Sequence, residues 1–165
     1  MFDDAVLIAL GSSLAGRFGS REALLEAALD NFPAAGLKLV TRSSWWRSAS
    51  WPDPGKPDYL NGLALVETAL SPRETLAALR RIEVAFGRRR EAENAPRTLD
   101  LDLIAHGRTR LDGAELTLPH PRAHERLFVM GPLAEIASEW RHPVLGETAK
   151  ALAAKASVGT DAAPV

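Results

Sequence analysis

The sequence contains no cysteine. That removes disulfides, thiolate metal ligands and cysteine nucleophiles together, and it fits a reducing compartment. Charge of either sign is not in excess either: 20 Lys and Arg stand against 21 Asp and Glu, a net of −1. No bulk field therefore draws the chain to nucleic acid or to an anionic membrane. No apolar run approaches the roughly 20 residues that span a bilayer. The apolar stretch at residues 5–10 is short and follows Asp3 and Asp4, where a signal peptide carries positive charge. Glycine-rich phosphate loops are also missing. Gly11 and Gly16 have the spacing of a Walker A loop, but Arg17-Phe18 follows in place of Lys-Ser/Thr, and there is no G-x-G-x-x-G. The expectation is a soluble, cytoplasmic protein with no nucleic-acid or membrane partner.

What the chain does have is the length of one ordinary domain, 165 residues, 46% of them hydrophobic. That supports a sizeable core without metal or disulfide staples. Residues 5–10 read as a buried strand. Leu24, Leu25, Ala28, Leu29 and Phe32 recur at helical spacing over residues 20–32, and the segment from Pro33 to Gly36 ends that helix. Residues 37–47 are rich in β-branched and aromatic side chains and predict a second strand. Residues 48–58 (SASWPDPGKPD) hold three prolines and a glycine and predict a long loop. Residues 59–68 predict the third strand.

Ser71-Pro72-Arg73-Glu74 predicts a helix start, with serine as N-cap, proline in the first turn and glutamate closing a capping box. Gly87 predicts its end. Residues 88–97 (RRREAENAPR) read as a basic loop and residues 99–105 as the fourth strand. Residues 106–118 predict a hairpin turning at Asp112-Gly113, and residues 121–126 and 132–138 predict short helices. The order β-α-β-β-α-β predicts an α+β, ferredoxin-like fold with a mainly antiparallel sheet covered by helices. It forms one domain over residues 1–150, followed by a weakly ordered tail at 151–165.

The stretch RTLDLDLI (residues 97–104) carries the chemistry. Strand alternation puts Leu99, Leu101 and Leu103 on one face and Asp100 and Asp102 on the other. Carboxylates two strand steps apart, about 6.5–7 Å between Cα atoms, converge on a hard cation such as magnesium. An edge strand with a solvated outer face has the same pattern. Arg88, Arg89, Arg90 and Arg97 precede the pair, as a polyphosphate beside a metal requires, although a solvated basic loop is the simpler reading for Arg89. His120 lies between two prolines, with Arg122 and Arg126 four apart. A histidine there either serves phosphate or caps a loop. Tyr59 and Asn61 share a strand face, so they stack on and hydrogen-bond a flat heterocycle or simply pack. His106, His124 and His142 read as surface residues.

Asp58-Tyr59-Leu60-Asn61, Ile82-Glu83 with Gly87-Arg88, Pro96-Arg97-Thr98-Leu99-Asp100-Leu101-Asp102, and Pro119-His120-Pro121-Arg122 with Arg126 and Phe128 occur in this order. Together they strongly resemble the 6-hydroxymethyl-7,8-dihydropterin pyrophosphokinase family of folate biosynthesis, from about Val6 to Trp140. The resemblance implies a three-layer ferredoxin-like fold. It also implies transfer of pyrophosphate from ATP to the pterin hydroxymethyl group, giving AMP, by a monomeric enzyme that needs two Mg2+ ions on Asp100 and Asp102. The pterin would lie between Tyr59 and Phe128, with Asn61 and Asp100 at its edge and Ser48 and Trp51 nearby. Glu83, Arg88, Arg90, Arg97, Leu103, Thr117, His120 and Arg126 match positions that serve ATP. Arg88 and Arg97 would sit on a loop that closes over the reaction. Three departures stand out: Gly11-Ser12-Ser13 replaces G-S-N, Glu93-Asn94-Ala95 stands just before Pro96 where a tryptophan is common, and Ser48, Ala49 and Trp51 replace the usual threonine, proline and aliphatic residue. A nucleotide-holding binding module and a metal-dependent phosphodiesterase are the competing classes, and the balanced charge and acidic pair weigh against the first.

Overall fold

The computed structural model describes residues 2–49, 58–87 and 98–165. The elements run β1 (Val6–Ser12), α1 (Arg21–Asp30), β2 (Lys38–Arg42), β3 (Trp46–Ser48), β4 (Tyr59–Glu67), α2 (Pro72–Ala85), β5 (Asp100–His106), β6 (Leu111–Asp112), β7 (Thr117–Leu118), α3 (Leu127–Ala137), α4 (Ala149–Lys155) and β8 (Ala163–Pro164). The main sheet has the order β5-β1-β4-β3-β8, and β2 also pairs with β4. All of its pairings are antiparallel. With β2 and β3 counted as one interrupted strand, this is the ferredoxin-like βαββαβ order, an α+β fold.

Alternation divides the sheet into two apolar faces. Ile8, Leu10, Leu60, Ala64, Leu101 and Leu103 pack with Leu24 and Leu25 of α1 and Leu79 and Ile82 of α2. Leu7, Leu63 and Leu65 pack with Val129, Met130 and Leu133 of α3 and with Leu152 of α4. The result is three layers. Helix α1 starts where Ser20 Oγ accepts the Ala23 N–H. The capping box expected at α2 is formed, with Ser71 and Glu74 each accepting the other's backbone N–H. Gly87 adopts φ +88°, the left-handed conformation that ends a helix without strain.

Several local expectations differ from what is observed. The predicted strand at 37–47 is two strands: the Ser43 N–H still donates to Leu63 O, but the Leu63 N–H donates at 2.9 Å to the Ser43 side chain instead of a strand carbonyl. The hairpin of β6 and β7 turns through residues 113–116, closed by the Gly113 N–H donating to Leu116 O, so Asp112 is a strand residue. Helix α3 begins at Leu127 and carries Pro132 inside it. Burial of Val129, Met130 and Leu133 on the sheet outweighs the ladder bond that proline removes. The tail expected to be weakly ordered instead forms α4, capped by Thr148, and then β8, which pairs with β3. Among the described residues no helix is long and apolar enough to cross a membrane.

Candidate active site

Helix α3 leaves one end of its sheet face uncovered, and a cleft of about 210 Å³ opens there. The sheet supplies the floor. Register places Asn61 of β4 opposite Gly11 of β1, and Gly11 opposite Asp100 of β5. Two residues along, Ala9 lies opposite Asp102. Small residues on the central strand therefore keep the space between the amide and the two carboxylates open. Ser48 of β3 and Tyr59 of β4 line it, as do Arg126, Phe128 and Val129 around the start of α3. Close approach of α3 to the sheet depends on Gly131, where a Cβ would stand 2.6 Å from the Trp46 ring. Glu135 of the same helix accepts from the Trp46 indole N–H and from Ser44.

Hydrogen bonds orient the polar groups. Asn61 Nδ2 donates to Ser48 Oγ at 2.9 Å, which turns Oδ1 toward Gly11. Asp58, next to Tyr59, accepts from Arg21 at 2.8 Å and pairs with Arg47 at 3.2 Å, fixing the start of β4. Burial pushes the Asp102 carboxyl up to about 6, helped by the like charges of Asp100 and Glu83 and opposed by Arg126 and Arg80. Burial holds the Arg126 guanidinium below its ordinary range, and its Cζ lies 5.7 Å from the Phe128 ring centroid.

These carboxylates fit a hard cation. They are oxygen donors, close in register, and their mutual repulsion is what a divalent ion relieves. Among the described residues no group of three or more His, Asp or Glu is placed to hold a metal. A hard cation on Asp100 and Asp102 would take its remaining ligands from further oxygen atoms.

Of the residues predicted from sequence, Ser48, Tyr59, Asn61, Asp100, Asp102, Arg126 and Phe128 come together in this cleft. Trp51, Arg88, Arg90 and Arg97 lie outside the described residues. Glu83 does not line the cleft. It is 1% exposed beneath β5, where it pairs with Arg80. The Leu103 side chain lies in the core against α1 and α2. Thr117 and His120 line a second depression, of about 440 Å³, with Arg110, His124 and His142. Burial, with Arg126 and Arg122 adding to it, lowers His120 to about 4, so it is a neutral ring whose Nδ1 accepts the Arg122 N–H. His142 is not a surface residue; it is 5% exposed and packs edge-on to Trp140. Sequence reasoning missed Val158, which lines the cleft from the tail. No local pattern marks it, since it reaches the site only through the return of the chain after α4.

The chain matches the model of the family described as 7,8-dihydro-6-hydroxymethylpterin-pyrophosphokinase over residues 7–138. It is 48% identical over 114 residues to the 2-amino-4-hydroxy-6-hydroxymethyldihydropteridine pyrophosphokinase of Synechocystis sp., a match covering 69% of this chain and 58% of that one. To the protein of the same name from Haemophilus influenzae it is 41% identical over 132 residues, covering 80% and 81%. It matches 19% of a folic acid synthesis protein of Pneumocystis carinii at 34% identity, so the chain spans only part of some relatives. A crystal structure of Plasmodium falciparum HPPK-DHPS with pteroate has a TM-score of 0.68 at 13% identity, over 92% of this chain and 42% of that one. That likeness concerns the fold alone.

Proposed function

The chain belongs to the 7,8-dihydro-6-hydroxymethylpterin-pyrophosphokinase family, and on that premise we propose its reaction: pyrophosphoryl transfer from ATP to the hydroxymethyl oxygen of 6-hydroxymethyl-7,8-dihydropterin. AMP and the pterin diphosphate are the products, a step of folate biosynthesis. One observation carries the reading: two carboxylates share a cleft with two aromatic rings and an oriented amide. A flat heterocycle stacks between Tyr59 and Phe128, while Asn61 Oδ1 accepts from its N–H edge. The carbonyl oxygens of Trp46 and Tyr59, which also accept from Nδ2 at 3.4 Å, keep that amide from flipping.

Asp100 and Asp102 would hold magnesium, two ions in this reading, which spreads phosphate charge and lowers the pKa of the attacking hydroxyl. Arg126 lies beside Asp102 and supplies positive charge where phosphate enters. Arg88, Arg90 and Arg97 enter the reading through the sequence, as guanidiniums that bind and align the polyphosphate. Glu83 supports β5 from beneath, and Thr117 and His120 stand at the nucleotide side. No side chain need act as a strong base, because in-line placement and charge neutralisation do most of the work in phosphoryl transfer. The reading takes the protein as a cytoplasmic monomer.

AMP release from ATP is the test. It should require both magnesium and hydroxymethyldihydropterin. Magnesium-dependent hydrolysis without pterin would indicate a phosphodiesterase, and no AMP under any condition would indicate a binding module.

A further inference from the structure

Residues 157–165 lie beyond the stretch matched by the family model, yet they join the two walls of the cleft. The N–H groups of Ser157 and Val158 both donate to Glu125 O, at 3.0 and 2.9 Å, and the Leu127 N–H donates to Val158 O at 2.9 Å. These bonds fix Val158 beside Arg126 as an isolated parallel bridge, with its side chain in the cleft wall. Gly159 follows at φ +65°, and a Cβ there would stand 2.4 Å from Phe128 Cδ1 and 2.8 Å from Cε1. The Phe128 ring thus rests directly on the tail backbone. The tail then crosses to the β3 wall. Asp161 Oδ2 accepts the Ala49 N–H at 2.8 Å, β8 pairs with Trp46 and Arg47, and the Val165 N–H donates to Trp45 O.

We propose that the tail is a positioning element of the cleft: Gly159 sets the seat of the Phe128 ring, and Asp161 ties the 48–49 wall to it, so that the gap between the walls suits one flat heterocycle. This rests on the reading of the cleft as a pterin site. The physical reason is preorganisation. A stacking ring contributes fully only when its plane is held before the ligand arrives. Gly159 is required twice over, because its φ disfavours any L side chain and because the ring occupies the space of a Cβ. Asp161 acts through one carboxylate oxygen, a role that an asparagine oxygen can also fill.

The test uses the full chain and titrates wild type, Gly159→Ala, Asp161→Ala and Asp161→Asn with hydroxymethyldihydropterin and, separately, with a non-hydrolysable ATP analogue. Thermal melts of each variant report folding. Gly159→Ala and Asp161→Ala should weaken pterin binding about tenfold, part of the scale of base–aromatic stacking. ATP-analogue affinity should stay within about twofold, well under the 1.4 kcal/mol of a tenfold change. Asp161→Asn should restore pterin affinity. Unchanged pterin affinity in folded variants, or an equal loss of both ligands, would overturn the tail's role as a positioning element. Failure of the wild type to bind pterin would instead overturn the reading of the cleft, and the proposal with it. If Gly159→Ala does not fold, the Asp161 pair still decides the question, because that side chain lies on the exposed surface.

Discussion

Glu83 Oε2 accepts the backbone N–H of Leu101 at 2.8 Å, so a buried carboxylate on α2 holds the strand midway between the two cleft aspartates. Among the described residues β5 is an edge strand, and this N–H faces the side on which none of them pairs with it. The carboxylate takes the place of a neighbouring strand. Arg80, one helical turn earlier, balances its charge at 2.9 Å.

Replacing Glu83 by alanine should therefore destabilise the protein by roughly 2–4 kcal/mol, since it orphans a buried donor and opens a cavity. Glu83→Gln keeps an oxygen acceptor and should lose less than half of that. Urea unfolding measures both, and faster hydrogen exchange at the Leu101 amide would locate the effect on β5.

Asp102 illustrates the tension between a site and its fold. Its carboxyl is held up at about 6 by burial, Asp100 and Glu83, so an anion there strains the folded state when no cation is present. Asp102→Asn should abolish AMP formation. In the presence of a chelator it should raise the melting temperature, as expected where function and stability conflict. Near-normal turnover in this variant would remove Asp102 from the chemistry.

The elements legible in the sequence were those specified locally. Ser71-Pro72-Arg73-Glu74 contains its whole capping box within four residues, and the alternation of 99–103 fixes which face carries the acids. Asp100, Asp102, Tyr59 and Asn61 are named by the motifs and lie on strands whose pairing makes them neighbours, and Phe128 joins the same cleft from α3. What was not legible depends on distant partners. Ser43 interrupts a strand because its hydroxyl meets Leu63 across the sheet. Pro132 sits inside a helix because its neighbours bury themselves on the sheet. Val158 reaches the cleft, and Gly159 the Phe128 ring, only because the tail pairs with Glu125 and Leu127. Alanine-rich composition after residue 150 carries no sign of that return.

Tyr59 lines the same cleft as Phe128. Tyr59→Ala should weaken pterin binding by roughly 1–3 kcal/mol, the scale of stacking on an aromatic ring. Isothermal titration in the presence of a nucleotide analogue measures this. Tyr59→Phe should retain most of the affinity, because the stacking face survives. Unchanged affinity in the alanine variant would mean that the heterocycle does not stack there.

His142 gives a prediction about acid stability that does not involve the cleft. Its Nδ1 accepts the N–H groups of Val144 and Leu145, at 3.2 and 3.0 Å, so protonation at that nitrogen would break both bonds. Burial, with His124 and Arg108 adding to it, lowers the ring to about 4 from an ordinary 6.5. Between those values the unfolded chain binds the proton and the folded chain does not, so stability falls as pH drops from 6.5 toward 4. The loss from this one residue should reach about 2 kcal/mol between pH 7.5 and 5. His142→Asn keeps an acceptor oxygen for the two amides but does not titrate. Its unfolding free energy should therefore fall less over that interval than the wild-type value, and parallel urea curves at the two pH values would exclude His142 as the source of acid sensitivity.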